Sequence, residues 1–482
     1  MLYNFIAHEP AVGHLARERF SCGGAGFYVA EQTAAMNRLL ARSPSRGEPP
    51  GRPRVGVVCP RPVAAVDLPK DLPVRYFDPA PGSLDELAEL YPRDAAWLER
   101  FDRCLGSAVP IAHHLVAARV ALALERPFLC AFHSVWPAVR AFLSPGEVDT
   151  RARLAQDILW KADGILVATR AEKALMLRSA ASESLRERLA RVVHVAPGGV
   201  NPYLEQLHQQ RRTPWLRRAW RRTLLPGVPM EAQVFYVVGR FVRHKNQLSV
   251  LRAFLAVAKD LPSAYLLMVG PPEDPGYVAC VRHELESAPA ALRARVVLAG
   301  PQPIEAAHLA GDVLVHASSS EAWGRVIDEA FVLGNPTLVA ALPMLAEKAG
   351  YAWRELVGPA DASASGSASG AVARPQFVYE PQGDATEERS LLIDPRDVGS
   401  IAAALQRAGS DARWRRQCRL YNRRVAGELS WSRLVPRLLA IWNRAEERAN
   451  GKPVFPEAAG SGSVIRRSSR PRARGRRRAA SH

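Results

Sequence analysis

The 482-residue sequence contains no run of eighteen apolar residues, the length a helix needs to cross a bilayer, so no membrane-spanning helix is expected. Its opening stretch, MLYNFIAHEPAVGHLARERF, carries early charges and a proline where a secretory signal would have an unbroken apolar segment. Cysteine is scarce. The six residues Cys22, Cys59, Cys104, Cys130, Cys280 and Cys418 form no C-x-x-C pair and have no histidine at zinc spacing. That scatter excludes a disulfide framework and fits reduced thiols in the cytoplasm, the expected location. No self-similarity recurs at the periods of repeat proteins. What the chain does have is 48% hydrophobic residues, ample for packed cores, in a length that predicts two domains.

The net charge of +18 is unevenly placed. VIRRSSRPRARGRRRAASH, from Val464 to His482, contains eight arginines and no acid. Such a tail favours anionic partners, including the headgroups of an anionic membrane at its inner face. It has no apolar face with which to insert. Nucleic acid is not an expected partner, because no stacking motif accompanies the basic residues.

Apolar runs and helical patterns alternate along both halves. RVGVVC (Arg54–Cys59), PFLCAFHS (Pro127–Ser134), GILVAT (Gly164–Thr169) and VVHVAPGGV (Val192–Val200) read as buried strands. Helical patterns are expected over Gly26–Arg42, Arg151–Lys161 and Ala171–Ser179. Residues 201–231 turn basic and Pro-broken, the texture of an interdomain connection. A second alternation follows: strands at Gln233–Arg240, Ala264–Gly270, Arg295–Gly300, Asp312–Ser318 and Pro336–Ala340, with helices at Leu248–Lys259, Tyr277–Ser287 and Arg325–Leu333. Alternation of this kind predicts parallel sheets covered by helices on both faces, here two Rossmann-like units facing a cleft. DASASGSASGAVARP (Asp361–Pro375) and residues 450–482 have neither periodicity nor apolar content and are expected to be a flexible insertion and a disordered tail.

Two segments carry candidate chemistry. GRFVRHKN (Gly239–Asn246) follows a strand, so Gly239 allows a tight turn while Arg240 and Lys245 offer two cations at the ligand-binding edge of a parallel sheet. A guanidinium and an ammonium together suit a diphosphate, although a solvated basic loop would have the same composition. In SSSEAWGRVIDEAFVLGNPTLVA (Ser318–Ala340), Glu321 and Glu329 are eight positions apart, which on one helix would set them about 80° out of line. Gly324 therefore marks a break, with Glu321 in a loop and Glu329 in the early turns of a new helix whose N–H groups can bind an anion. A carboxylate that merely favours the helix dipole is the plainer reading of Glu329 taken alone.

The order of these segments resembles the family 4 (group 1) retaining glycosyltransferases of the GT-B fold. ALPMLAEKAG (Ala341–Gly350), LLIDPRDVGSIAAAL (Leu391–Leu405) and LSWSRLVPRLLAIW (Leu429–Trp442) continue the likeness. CGGAGFYVAEQ (Cys22–Gln32), FHS (Phe132–Ser134), KADGILVATRAEK (Lys161–Lys173) and VAPGGVN (Val195–Asn201) carry it through the first half. The resemblance implies an acceptor-side domain over 1–200, a connection over 201–231 and a donor domain over 232–430. A terminal helix at 431–449 would pack back toward the first domain. It also implies roles. Arg240 and Lys245 would hold the donor diphosphate, Glu329 the nucleotide ribose and Glu321 the transferred sugar. Gly24 and Gly26 would close on the diphosphate as a glycine loop, and His133 would face the sugar, with a satisfied strand-end imidazole as the alternative. The nucleotide-sugar is then a co-substrate, no cofactor is expected, and the acceptor is undefined. No Asp-x-Asp pair stands beside the donor segment, so no metal is expected either. A phosphorylase or nucleotide-sugar epimerase on the same fold would share most of these features. Asn246 departs from the family, where glycine commonly follows the lysine; Trp323 replaces a phenylalanine, and Leu342–Leu345 replace a glycine pair.

Overall fold

The structure, a computed structural model, describes residues 2–6, 23–41, 55–60, 74–77, 99, 102–103, 109–113, 115–133, 154–210, 213–321, 323–356, 376–384 and 387–449. The expected insertion at 361–375 and the tail at 450–482 lie outside the described residues.

Two parallel sheets form the frame. The first takes its strands from β1 (Leu2–Ile6), β2 (Val55–Pro60), β3 (Val74–Phe77), β4 (Ile111–His113), β5 (Leu129–Ala131), β6 (Gly164–Val167) and β7 (Val193–Val195). Their spatial order is β3-β2-β1-β4-β5-β6-β7. The second is built from β8 (Gln233–Val238), β9 (Ala264–Val269), β10 (Val296–Gly300), β11 (Val313–His316), β12 (Thr337–Ala340) and β15 (Leu391–Ile393), in the order β10-β9-β8-β11-β12-β15. An antiparallel hairpin, β13 (Tyr351–Leu356) with β14 (Gln376–Pro381), stands apart. Strands such as β11, buried along their whole length, explain the unbroken apolar runs: helices cover both faces, so no polar alternation is needed.

In each sheet the chain starts in the middle, builds outward to one edge, and returns to build the other. The reversal falls between β1 and β4 in the first sheet and between β8 and β11 in the second. Loops leaving adjacent strands at such a point diverge to opposite faces and leave a crevice at the carboxyl ends.

Residues 201–231 do more than connect. They form helices Pro202–Gln209 and Thr213–Leu224, the second lying against helix Ile304–Ala310, with Leu224 in the core of the second sheet. Arg217 and Arg221 both pair with Asp312, just before β11. Helix Trp431–Ala449 returns to the first sheet. Trp431, Leu434, Leu438 and Trp442 pack with Val29, Met36, Ile111 and Leu129, and Trp442 Nε1 donates to the Val109 carbonyl at 2.7 Å. Buried side chains of this size contribute about 1.5–3 kcal/mol each.

At the crevice of the second sheet the ends of β8 and β9 nearly touch. A Cβ on Gly270 would stand 1.9 Å from the Gly239 carbonyl oxygen, and Gly270 adopts φ +155°. Backbone, not a yielding side chain, fills that space. Gly270→Ala is therefore expected to cost about 3 kcal/mol from overpacking and strain. Thermal unfolding beside wild type checks this, and an unchanged midpoint would mean the two strand ends separate freely.

Candidate functional site

The loops that leave β8 and β11 converge at the reversal point of the second sheet. After β8 the chain passes Gly239 and Arg240 into a short 3-10 turn, Arg243–Lys245. Asn246 follows with φ 60° and ψ 32°, the left-handed conformation that glycine and asparagine tolerate best. This accounts for asparagine where the family commonly has glycine. Its side chain fixes the corner, donating from Nδ2 to the Pro395 carbonyl and accepting from Ser249 Oγ at 2.7 Å. From the other side, Ser319 donates its backbone N–H to the His244 carbonyl at 2.8 Å. The two loops are thereby stitched together, and Lys245 Nζ meets the Glu321 carboxylate.

Glu321 is held ionised. Burial pushes its pKa upward, but the Lys245 ammonium and His316 outweigh that and hold it well below the usual carboxylate range. His316 Nε2 lies 3.4 Å from Glu321 Oε2, and burial keeps the imidazole below its ordinary range despite the acid. Arg240, half exposed, pairs with Glu273. Arg240 and Lys245 thus stand in one loop, each with a carboxylate partner. Helix Arg325–Leu333 starts directly after Gly324, which has φ 60°, so the break between the two glutamates is where the sequence places it.

Glu329 is nearly enclosed. Its Oε2 lies 3.0 Å from His308 Nε2 and its Oε1 3.8 Å from Arg325 Nε. Burial raises its pKa, yet His308, Arg325 and Lys348 together leave it below the ordinary value. Behind it, His308 Nδ1 lies 3.0 Å from the Tyr236 hydroxyl, to which Asn335 Nδ2 donates at 2.9 Å. A buried polar chain therefore runs inward from Glu329, each member partnered as burial requires.

Four residues near the helix start were not singled out from sequence. Arg325 Nη2 reaches across the cleft to both oxygens of Glu31, at 3.1 and 3.0 Å. Lys348 is almost fully buried; its ammonium lies 2.9 Å from Asp328 Oδ2 and 3.7 Å from the centre of the Trp323 ring, and it donates to the Trp323 carbonyl. Burial pushes Asp328 up to about 6, with Lys348 and Arg325 opposing. Lys348 lies within the family-like segment ALPMLAEKAG, so its position was visible, but its strapping of a loop distant in sequence was not. Arg325, Asp328 and Glu31 carried no pattern that set them apart from solvated charge.

On the opposite side, the expected glycine loop is helical: Gly24 and Gly26 sit in the first turn of helix Gly23–Ala41. A helix start still offers unpartnered N–H groups, but the geometry is that of a helix end rather than a loop. Glu31 is two turns further along. His133 follows β5 and stacks on His113, the rings 5.2 Å apart with Nδ1 of His113 2.9 Å from Nε2 of His133. Burial, and secondarily the charge of Arg325, lower His133 to about 4. The two domains also meet at Glu347, whose carboxylate accepts from the N–H groups of Arg170 (3.2 Å) and Ala171 (2.7 Å) at the start of helix Arg170–Arg178. Among the described residues no group of three His, Cys, Asp or Glu side chains could hold a metal ion, and no helix is long and apolar enough to cross a membrane.

Residues 226–356, which hold β8 to β13 and the loops that leave β8 and β11, match the family described as Glycosyl transferases group 1. No curated protein matches the chain. Among solved structures, sucrose-phosphate synthase from Thermosynechococcus elongatus superposes with a TM-score of 0.67 at 19% identity, over 92% of this chain and 98% of that one. The Anabaena protein HepE, solved with UDP and glucose, gives 0.59 at 15%, over 92% and 99%. WaaG, a glycosyltransferase involved in lipopolysaccharide biosynthesis, gives 0.57 at 14%, over 94% and 100%. The fold is α/β of the GT-B type, two Rossmann-like domains about a central cleft.

The histidine at the cleft makes stability depend on pH. A ring titrating near 4 in the folded chain and near 6.5 unfolded binds fewer protons when folded. Its contribution is complete above about pH 6.5 and is lost as pH falls toward about 4, amounting to about 2 kcal/mol by pH 5. Urea unfolding at pH 7 and pH 5 should show this loss and should show it reduced in His133→Gln. Equal losses in both proteins would mean that the imidazole protonates normally in the fold.

Proposed function

We propose that the protein is a retaining glycosyltransferase that moves a sugar from a nucleotide-diphosphate donor to an acceptor held against the first domain. The acceptor would be a glycan, a lipid-linked molecule or a small molecule. The observation that carries this reading is the convergence of Lys245 and Glu321 at the reversal point of the second sheet, beside the start of helix Arg325–Leu333. A diphosphate entering there would meet the Lys245 ammonium and the Arg240 guanidinium, competing with Glu321 and Glu273 for them. As the bond from the anomeric carbon to the leaving oxygen breaks, its electron pair goes to the diphosphate, while an acceptor hydroxyl oxygen bonds to that carbon and gives up its proton to the departing diphosphate. Fixed cations and helix N–H groups stabilise that charge without rearranging. Glu321, kept ionised, accepts hydrogen bonds from hydroxyls of the transferred sugar.

Glu329 would accept from the ribose with whatever lone pairs His308 and Arg325 leave free. The first-turn N–H groups around Gly24 and Gly26 would face the diphosphate from the other domain, with Gly239 and Gly324 leaving the backbone room to approach it. His133, a neutral imidazole, would face the sugar. The reading requires no metal, because the charge that develops is met by side chains. It places the reaction in the cytoplasm, with the basic tail available to anionic headgroups. The Anabaena HepE complex with UDP and glucose supports UDP as the first nucleotide to test.

Arg240→Ala and Lys245→Ala are each expected to lower turnover by about 100-fold or more, the scale of removing one group that stabilises developing charge. Steady-state rates with a panel of UDP-, GDP- and ADP-sugars measure this; wild-type rates in both variants would remove the basis of the mechanism. The stereochemistry is tested separately. NMR of the product should show the anomeric configuration of the donor, and an inverted product would refute retention.

A further inference from the structure

A second site lies at the opposite edge of the same sheet. There the start of β8, the residues before β11 and β12, and helices Thr213–Leu224 and Ala412–Ala426 enclose a cavity of about 540 Å³, within the range of small-molecule pockets. The six residues of β8 set it about 20 Å from the loop that carries Lys245, and His308, hydrogen-bonded to Glu329, stands between the two sites. Its walls carry Arg217, Arg221, Arg415, Arg419 and Arg423 against two carboxylates, Asp312 and Glu231.

The positive charge is not neutralised from within. Asp312 is shared between Arg217 and Arg221 and also accepts from the Val234 N–H at 2.8 Å. Arg415 is spent on the carbonyls of Ala408 (2.6 Å) and Gly409 (2.7 Å). Arg419 has a buried Nε with no partner, and Arg423 makes no ion pair, among the described residues. Arg415, Arg419 and Arg423 recur every fourth position of one helix, so their side chains stack on one face, an arrangement that like charges disfavour. Burial lowers the pKa of Arg419; Asp312 opposes this, and the charges of Arg217, Arg415 and Arg423 add to the lowering. Gly334 leaves the space Arg423 occupies: a Cβ there would stand 2.5 Å from its Nε.

We propose that this cavity is a second, anion-binding site that takes a small molecule bearing phosphate. Converging guanidiniums offer paired N–H donors to phosphate oxygens, and the bound anion relieves their mutual repulsion. The volume of about 540 Å³ is far more than an inorganic phosphate fills, so the occupant is a phosphorylated compound of about the size of a sugar phosphate rather than an inorganic ion alone.

The test is calorimetric titration of the full chain with inorganic pyrophosphate in the presence of saturating UDP. Wild type is expected to bind one pyrophosphate that UDP does not displace. Arg419→Gln/Arg423→Gln should weaken that binding at least tenfold while melting temperature and UDP binding stay unchanged. Arg423→Gln alone, at an exposed position, should weaken it in the same direction and guards against a folding defect in the double variant. The comparison between wild type and variants holds whatever nucleotide the crevice prefers. Pyrophosphate binding that UDP abolishes entirely, or that is equally strong in both variants, would overturn the proposal. So would binding to phosphatidylglycerol vesicles through these arginines with none to free pyrophosphate, which would make the cavity a membrane contact.

Discussion

The ion pair between Lys245 and Glu321 is the contact on which the crevice is built. Pairing two charges in a half-buried place adds little net stability, because desolvation offsets most of the Coulomb attraction. Its effect is positional. The lysine leaves β8, the glutamate leaves β11, and the topology brings those two loops side by side although they are far apart in sequence. The His244–Ser319 backbone hydrogen bond and the left-handed corner at Asn246 hold the ammonium where it stands. In the proposed reaction this fixed ammonium would meet the departing diphosphate, and removing either partner would leave the other as an uncompensated charge.

A second layer of contacts sets the relation between the domains. Arg325 opens the helix that carries Glu329 and binds Glu31 of the first domain through both carboxylate oxygens. A cation at a helix start works against the helix dipole, so this arginine is held by two acids, Glu31 of the first domain and Glu329 one turn along its own helix. Glu347 caps helix Arg170–Arg178 from the other domain, and Arg178 pairs with Glu355 while lying 5.2 Å over the Trp353 ring. Among the described residues these charged contacts surround a small apolar cluster, in which Ala171 and Leu175 of the first domain pack with Met344 and Trp353 of the second. Inside the second domain, the chain Glu329–His308–Tyr236–Asn335 leads from the crevice to the arginine-lined cavity, so the two ends of the sheet are joined by hydrogen bonds as well as by strands.

Much of the frame was legible because its signals are local. Buried parallel strands produce short apolar runs, and Gly324 followed by an apolar helical pattern marked the start of Arg325–Leu333 to the residue. Residues 201–231 were misleading. Pro214 suggested a break, yet it is the second residue of helix Thr213–Leu224, where a proline costs no hydrogen bond, and Leu216, Trp220 and Leu224 recur at helical spacing beneath the arginines. The hairpin of β13 and β14 was missed because its strands flank a segment without periodicity, and helix Ile304–Ala310 because it is only two turns long. The long-range partners were beyond reach in principle. A buried lysine such as Lys348 and a solvated one look alike in sequence; only the packing of Asp328 and Trp323 around it tells them apart.

The chain passes between the domains twice, once after β7 and once before helix Trp431–Ala449, and the two passages run side by side: the Val200 N–H donates to the Leu429 carbonyl at 3.0 Å. Gly199 lies so close to the Trp431 ring that a Cβ there would stand 2.3 Å from it. Two tethers fastened at one place behave as a single pivot, leaving opening and closing of the cleft free while opposing sliding. They also mean that the first domain is discontinuous. A fragment ending at residue 200 would have the sheet without Trp431, Leu438 and Trp442 to cover it, so the amino-terminal half of this chain cannot complete its own interior until helix Trp431–Ala449 has been synthesised.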